Sequence, residues 1–326
     1  MSKRLVAPLA LVCAVIALPV ASALSSSSKP HAHAASAPFI VGIADQHPFF
    51  ATDDRFTPLG ITHARIYLPW DLFSVKSQVQ YADDYMQAMH KAGIDVLVTF
   101  SQSRRGGKFN SVNPTTAQMT STIKAYRKKW PFLKEFATWN EVNLEKKNPA
   151  MVAKWWMALR KACPTCTILG AELVDRAPAN NQKSVSQAAV KKDISTWVKG
   201  FLKATHGKQP TAWGLHNYDD ANLNHTYGTK ALLAAVKGQV WFTETGGLVS
   251  RHSSSKIKMP EGQAHATAAT KFILTKLARI SSRIKRVYLY EWTDSTETWD
   301  SAFTGPKNET RSSLTYLTSF MKARRR

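Results

Sequence analysis

Residues 95–139 decide the fold. Asp95-Val96-Leu97-Val98-Thr99-Phe100 is a short apolar run rich in β-branched residues. An amphipathic stretch from Pro114 to Lys129 follows, and then a second apolar run, Phe136-Ala137-Thr138-Trp139. A continuously apolar run of this length reads as a strand covered on both faces, and parallel neighbours need a helical crossover between them. The same pattern repeats outward in both directions. Strands are expected at 39–44, 64–68, 95–100, 136–139, 167–171, 212–215, 239–243 and 286–290. Helices are expected at about 82–92, 114–129, 148–162, 186–205, 227–237, 261–281 and 307–323, with room for at most one irregular helix in 46–61. Asn113-Pro114 and Asn148-Pro149 each read as an N-cap followed by proline at the first helical position.

Strands and helices alternating eight times without a break in composition point to an α/β fold, a (β/α)8 TIM barrel, as a single domain over 39–326. The competitor is a doubly wound open sheet. That fold would carry a Gly-rich phosphate turn after its first strand. The first strand here ends Gly42-Ile43-Ala44-Asp45-Gln46-His47, which is no such turn.

The 326-residue chain is 44% hydrophobic and 20% charged, which excludes a disordered or collagen-like protein. Residues 1–23 read as a secretory signal: basic Lys3 and Arg4, an apolar run from Leu5 to Val20, and the small-residue site Ala21-Ser22-Ala23. Residues 24–38 read as a Ser/Ala/His/Pro-rich disordered linker. No stable membrane insertion is expected once the signal is removed. The implied location is extracellular, with the cell wall as one setting. In that oxidising compartment Cys163 and Cys166 are expected to form a local disulfide.

The net charge is +22, and residues 101–161 alone carry thirteen Lys or Arg against three acids. Nucleic-acid binding is disfavoured because no recognised motif accompanies this charge. A basic solvated surface and contact with an anionic polysaccharide are the other two readings. No cofactor or metal is expected, since no spacing such as His-Glu-x-x-His occurs. Oligomeric state is not legible.

Chemistry in a barrel of this kind sits where strands end. The fourth strand ends Thr138-Trp139-Asn140-Glu141-Val142-Asn143, and the seventh ends Trp241-Phe242-Thr243-Glu244-Thr245-Gly246. Two carboxyl groups facing one another across a pocket can hydrolyse a glycosidic bond, one protonated to serve the leaving oxygen and one ionised to attack. On these motifs the chain resembles the clan A glycoside hydrolases, which are retaining (β/α)8 enzymes. The resemblance implies Glu141 as acid/base and Glu244 as nucleophile. It also implies Asn140 on a substrate hydroxyl, Arg65 (in Arg65-Ile66-Tyr67-Leu68-Pro69-Trp70) supporting the nucleophile, and His216 and Tyr218 beside it, with the Tyr hydroxyl bonded to the nucleophile. Trp292 would be the aromatic floor of the sugar site, and Trp70 a further stacking ring at a strand end. Val142 stands where the clan often has Pro, and Ser101-Gln102-Ser103 where many members carry His. These departures leave the family within the clan, and the sugar, open.

The implied function is a secreted glycosidase that cleaves β-linkages in a polysaccharide or oligosaccharide by double displacement. The alternatives are a non-catalytic carbohydrate-binding barrel and a basic surface-adhesion protein.

Overall fold

Apolar strands wrapped by amphipathic helices bury their surface best as a closed ring, and that is how this chain solves the problem. The computed structural model describes residues 39–107, 110–176, 184–252, 257–293 and 298–325. The expected signal and linker lie outside the described residues. The strands are β1 (Ile40–Ala44), β2 (His63–Pro69), β3 (Asp95–Ser101), β4 (Glu135–Ala137), β5 (Thr167–Leu169), β6 (Glu172–Val174), β7 (Ala212–His216), β8 (Gln239–Thr245), β9 (Ser250–Arg251), β10 (Ile284–Tyr290) and β11 (Trp299–Asp300). Nine of them form one parallel sheet in the order β5-β4-β3-β2-β1-β10-β8-β7-β6, while β9 and β11 make a small antiparallel pair.

β5 and β6 take the place of the single strand expected at 167–171. The chain is interrupted at Gly170-Ala171; its first half pairs with β4 and its second with β7. Backbone bonds bridge the interruption. Gly170 N–H donates to the Ala212 carbonyl (3.0 Å), Gly214 N–H to Ala171 (2.9 Å) and Glu172 N–H to Trp139 (3.1 Å). The ring therefore closes with eight strand positions.

The helices are α1 (Lys76–Lys91), α2 (Thr116–Lys129), α3 (Pro149–Ala162), α4 (Gln187–Ala204), α5 (Tyr218–Asn222), α6 (Tyr227–Ala235), α7 (Gln263–Thr275) and α8 (Ser312–Arg324). Asn148 caps α3 as expected, its Oδ1 accepting from the N–H groups of Ala150 and Met151. At α2 the expected cap is displaced. Thr115 and Gln118 form a reciprocal capping box, which satisfies two donors, so Asn113-Pro114 precedes the helix. The 46–61 segment holds two 3-10 turns, Pro48–Thr52 and Thr57–Leu59, where at most one helix was expected. Cys163 and Cys166 are joined by a disulfide at the end of α3, with Cα atoms 5.4 Å apart. No helix among the described residues is long and apolar enough to cross a membrane.

Strand alternation divides the core in two. Outward side chains such as Ile66, Leu68, Val98, Phe100 and Phe136 pack under the helices. Inward ones fill the barrel. Ala44, Leu97, Ala137, Leu169, Ala212, Trp241 and Tyr288 form an apolar layer, with the Glu135–Arg286 ion pair against it and Trp241 under the Arg286 guanidinium. Beyond that layer, toward the strand C-termini, the inward positions turn polar: Arg65, Thr99 and Glu172 are all buried.

Gly214 on β7 makes room for this polar layer. A Cβ there would lie 2.5 Å from Glu172 Cγ and 2.8 Å from Thr243 Oγ1. Gly214→Ala is expected to lower unfolding free energy by about 1–3 kcal/mol through overpacking, read from urea denaturation; a neutral outcome would show that the interior is looser than described.

Candidate active site

Glu244 owes its orientation to an irregularity in β8. Alternation from the inward Trp241 makes Thr243 inward and would turn Glu244 toward the helices. The register passes from Leu215↔Phe242 to His216↔Glu244 on one side, and from Val287↔Phe242 to Leu289↔Thr245 on the other. Both neighbours thus see one extra residue in β8 between Phe242 and Thr245. Such a bulge re-aims the side chains after it. Here it accompanies the delivery of Glu244 to the barrel interior, where Arg65 bonds it.

Arg65, inward on β2 and 1% exposed, is the hub of the site. Its guanidinium donates to Glu244 Oε1, to Glu172 on β6, to Thr99 Oγ1 (3.2 Å) and to Asn140 Oδ1 (2.7 Å). Burial alone would disfavour the charge of Arg65, but Glu172 and Glu244 outweigh it and raise its pKa further. Burial likewise opposes ionisation of Glu172, yet Arg65 and His216 hold its pKa down at about 2.

His216, at the end of β7 and fully buried, lies between three carboxyl groups. Its Nδ1 is 3.0 Å from Glu141 Oε1 and 3.5 Å from Glu244 Oε2, and its Nε2 is 3.3 Å from Glu172 Oε2. Burial works against the imidazolium, but Glu244, Glu141 and Glu172 together lift its pKa to about 10. His216 is therefore a doubly donating cation at neutral pH. Its 3.4 Å approach to Arg65 is then a contact between two cations that share Glu172.

Glu141 stands in the turn after β4, in a left-handed conformation (φ 44°). Its turn is fixed by Asn140 N–H bonding to the Phe100 carbonyl (2.9 Å) and Val142 N–H to Glu172 (3.0 Å). The Glu141 side chain is 25% exposed, against 11% for Glu244. Tyr218, which opens α5, donates its hydroxyl to Glu244 Oε2 at 3.2 Å. Burial, and next to it the charge of Glu244, raises the Tyr218 pKa well above its ordinary value, so it remains a donor.

These groups floor a cleft of about 520 Å³ at the C-terminal end of the strands, within the usual range for small-ligand sites. Asn140, Glu141, His216, Tyr218 and Glu244 line it. Three expected substrate-binding residues do not. Arg65 is fully engaged by protein groups and reaches the cleft only through Glu244 and Asn140. Trp70 is turned under α2, its Nε1 donating to the Val112 carbonyl (3.3 Å); it shares outward parity with Ile66 and Leu68, while Arg65 and Tyr67 point inward. Trp292 is 1% exposed, held edge-on against Phe56 (5.4 Å) with its Nε1 bonded to Asp53. The aromatic wall of the cleft is instead Tyr67, Tyr290 and Trp299, with Trp299 edge-on to Tyr218 at 4.8 Å. Glu172 is the main residue that sequence reading undervalued. Strand parity could not have found it: counting from the inward Leu169 turns Glu172 outward, and only the interruption at Gly170-Ala171 resets the alternation and brings it into the barrel.

Glu141, His216 and Glu244 bring one potential ligand atom each within 4.8 Å of one another.

No family model matches the sequence, and no curated protein matches it. Solved structures do share the fold. An uncultured Clostridium sp. β-glucuronidase is 10% identical, with 88% of this chain and 50% of that one covered and a TM-score of 0.59. A Thermotoga maritima β-glucosidase in complex with azafagomine is 9% identical, with coverages of 88% and 98% and the same TM-score of 0.59. An exo-β-1,4-mannosidase from Opitutaceae bacterium strain TAV5 is 14% identical, with coverages of 88% and 59% and a TM-score of 0.57. The chain thus spans about half the length of the glucuronidase, and the likeness at these identities is one of fold.

Linkage gives the site a characteristic pH response. The folded pKa of His216 is raised from 6.5 to about 10, so its contribution to stability is full below pH 6.5 and is lost as pH rises toward 10. The pKa of Glu172 is lowered from 4.5 to about 2, so its contribution is full above pH 4.5 and is lost as pH falls toward 2. Urea unfolding measured across pH should show His216→Gln flattening the decline between pH 6.5 and 10. An unchanged alkaline limb in that variant would contradict the assignment.

Proposed function

We propose that residues 39–326 form a secreted retaining β-glycoside hydrolase that acts on a polysaccharide or oligosaccharide, with Glu141 as acid/base and Glu244 as nucleophile. One observation carries the reading: carboxylate oxygens of Glu141 and Glu244 lie within 4.8 Å of each other, with His216 between them, in the floor of one cleft. Double displacement needs carboxyl groups ~5–5.5 Å apart, whereas a mechanism that admits water between them needs ~6.5–9.5 Å. The close approach favours the former. The Cys163–Cys166 disulfide suits an oxidising, extracellular compartment.

The charges of the site fit a two-step reaction. Arg65 and His216 are two fixed cations, and Glu172 is one fixed anion. One further negative charge neutralises the cluster. Before reaction that charge is on Glu244, the nucleophile, and Glu141 holds the proton. Glu141 gives this proton to the leaving oxygen as Glu244 attacks the anomeric carbon and the glycosidic C–O bond breaks. Glu244 then carries no charge, being esterified, and Glu141 has become the anion. His216 faces both carboxyl groups and stabilises whichever is ionised. Water next attacks the anomeric carbon, gives its proton to Glu141 and releases Glu244 as a carboxylate. Throughout, Arg65 and Tyr218 donate to Glu244. Asn140, whose Oδ1 is taken by Arg65, has its amide N–H groups left for a sugar hydroxyl.

On a panel of aryl β-glycosides, Glu141→Gln is expected to lower kcat by roughly 10²–10⁴-fold, the range for lost general acid–base help. Glu244→Gln should abolish turnover, and azide added to Glu244→Ala should yield a glycosyl azide of inverted configuration. All three variants should keep a cooperative unfolding transition. Undiminished hydrolysis by folded Glu141→Gln and Glu244→Gln would overturn the reading.

A further inference from the structure

Away from the cleft, α2, α3 and α4 follow one another around the outside of the barrel. Together they carry eleven Lys and Arg and one acid, Asp193. Asp193 is turned inward and accepts from Asn143 Nδ2 (2.7 Å). Of the basic residues only Arg127 is half-buried; the other ten are exposed. Lys129 has a carboxylate partner, Asp83 on α1, and Arg160 lies over the Trp156 ring.

A solvated helix surface normally mixes both signs, with opposite charges at i,i+4. Here Lys124 and Lys128, and Lys199 and Lys203, put like charges at that spacing, which destabilises an isolated helix. The helix dipole accounts for cations in the last turns, such as Lys128 and Lys161. It does not account for Lys154, Lys191 and Lys192, which lie in the N-terminal halves of their helices.

We propose that the outer face of α2–α4 binds an acidic polysaccharide, a glycan bearing carboxylate or sulfate groups, and that this surface is separate from the cleft. Three features select that polymer class. The patch is dominated by Lys, a point charge that reads anion density rather than fixed geometry. The aromatic residues of these helices are turned inward: Trp155, Trp156, Trp197, Tyr126 and Phe201 are all buried, so the helices present no stacking platform for single-stranded nucleic acid. The exposed large apolar residues (Ile40, Phe49, Phe73, Val112 and Leu144) lie elsewhere, so nothing on these helices inserts into a lipid surface. The proposal does not depend on the glycosidase reading.

The test uses the full chain on immobilised polygalacturonate, dextran sulfate and neutral dextran. Lys124→Glu, Lys128→Glu, Lys154→Glu and Lys199→Glu are combined in one variant. Lys230→Glu, Lys237→Glu, Lys271→Glu and Lys276→Glu, all at exposed positions on or near α6 and α7, form a control with the same change of net charge. The unaltered chain should be retained by one or both acidic polymers and not by dextran, and its affinity should fall steeply between about 50 and 500 mM NaCl. The α2–α4 variant should bind at least about tenfold more weakly near 0.1 M salt with a shallower salt dependence, and the control within about twofold of the unaltered chain. Equal weakening of both variants, or no retention on either acidic polymer, would overturn the proposal. So would retention confined to duplex DNA or to anionic lipid vesicles.

Discussion

One buried cation organises this protein. Arg65 sits inside the barrel with almost no exposure and bonds two carboxylates, Glu172 and Glu244, that come from strands far apart in sequence. Taking three charges out of water is costly, and only mutual pairing with further hydrogen bonds makes it tolerable. Thr99, Asn140 and His216 supply those bonds. The consequence is rigidity where chemistry needs it. Glu244 cannot drift, because leaving Arg65 would strand a buried charge. The same network ties β2, β6, β7 and β8 together at the end of the barrel where the cleft opens.

The network also explains why His216 belongs between the two outer carboxyl groups. Glu172 and Arg65 cancel, and His216 leaves one positive charge to be matched. Glu141 and Glu244 are both within its reach, so the matching negative charge can pass from one to the other without a net charge appearing in the interior. Low dielectric makes an uncompensated charge expensive and a transferred one cheap. A neutral cluster with one movable proton would serve the double displacement proposed above.

Much of this was legible in the sequence. The eight apolar runs, the two Glu positions at strand ends and the inward parity of Arg65 all follow from local pattern. Trp70 was legible too: counting by twos from Arg65 places Tyr67 inward and Trp70 with the outward Ile66 and Leu68. What was hidden depends on pairing between distant segments. The extra residue in β8 that re-aims Glu244 leaves no mark in Trp241-Phe242-Thr243-Glu244 itself, since a bulge is defined by its neighbours' register. The interruption at Gly170-Ala171 is of the same kind. Trp292 was placed in the cleft by its position after the last long strand, yet its indole is claimed by Phe56 and Asp53, more than two hundred residues earlier in the chain. Tyr290 and Trp299 occupy the wall in its stead.

The central claim is that Glu244 becomes covalently attached to the sugar. Incubation with a panel of 2-deoxy-2-fluoro-β-glycosyl fluorides, followed by proteolysis and peptide mass spectrometry, reads that attachment directly. The account predicts a single fluoroglycosyl adduct on the peptide that contains Glu244, absent in Glu244→Gln. An adduct on Glu141 or Glu172 instead, or hydrolysis of a natural β-glycoside with inversion at the anomeric carbon, would contradict it.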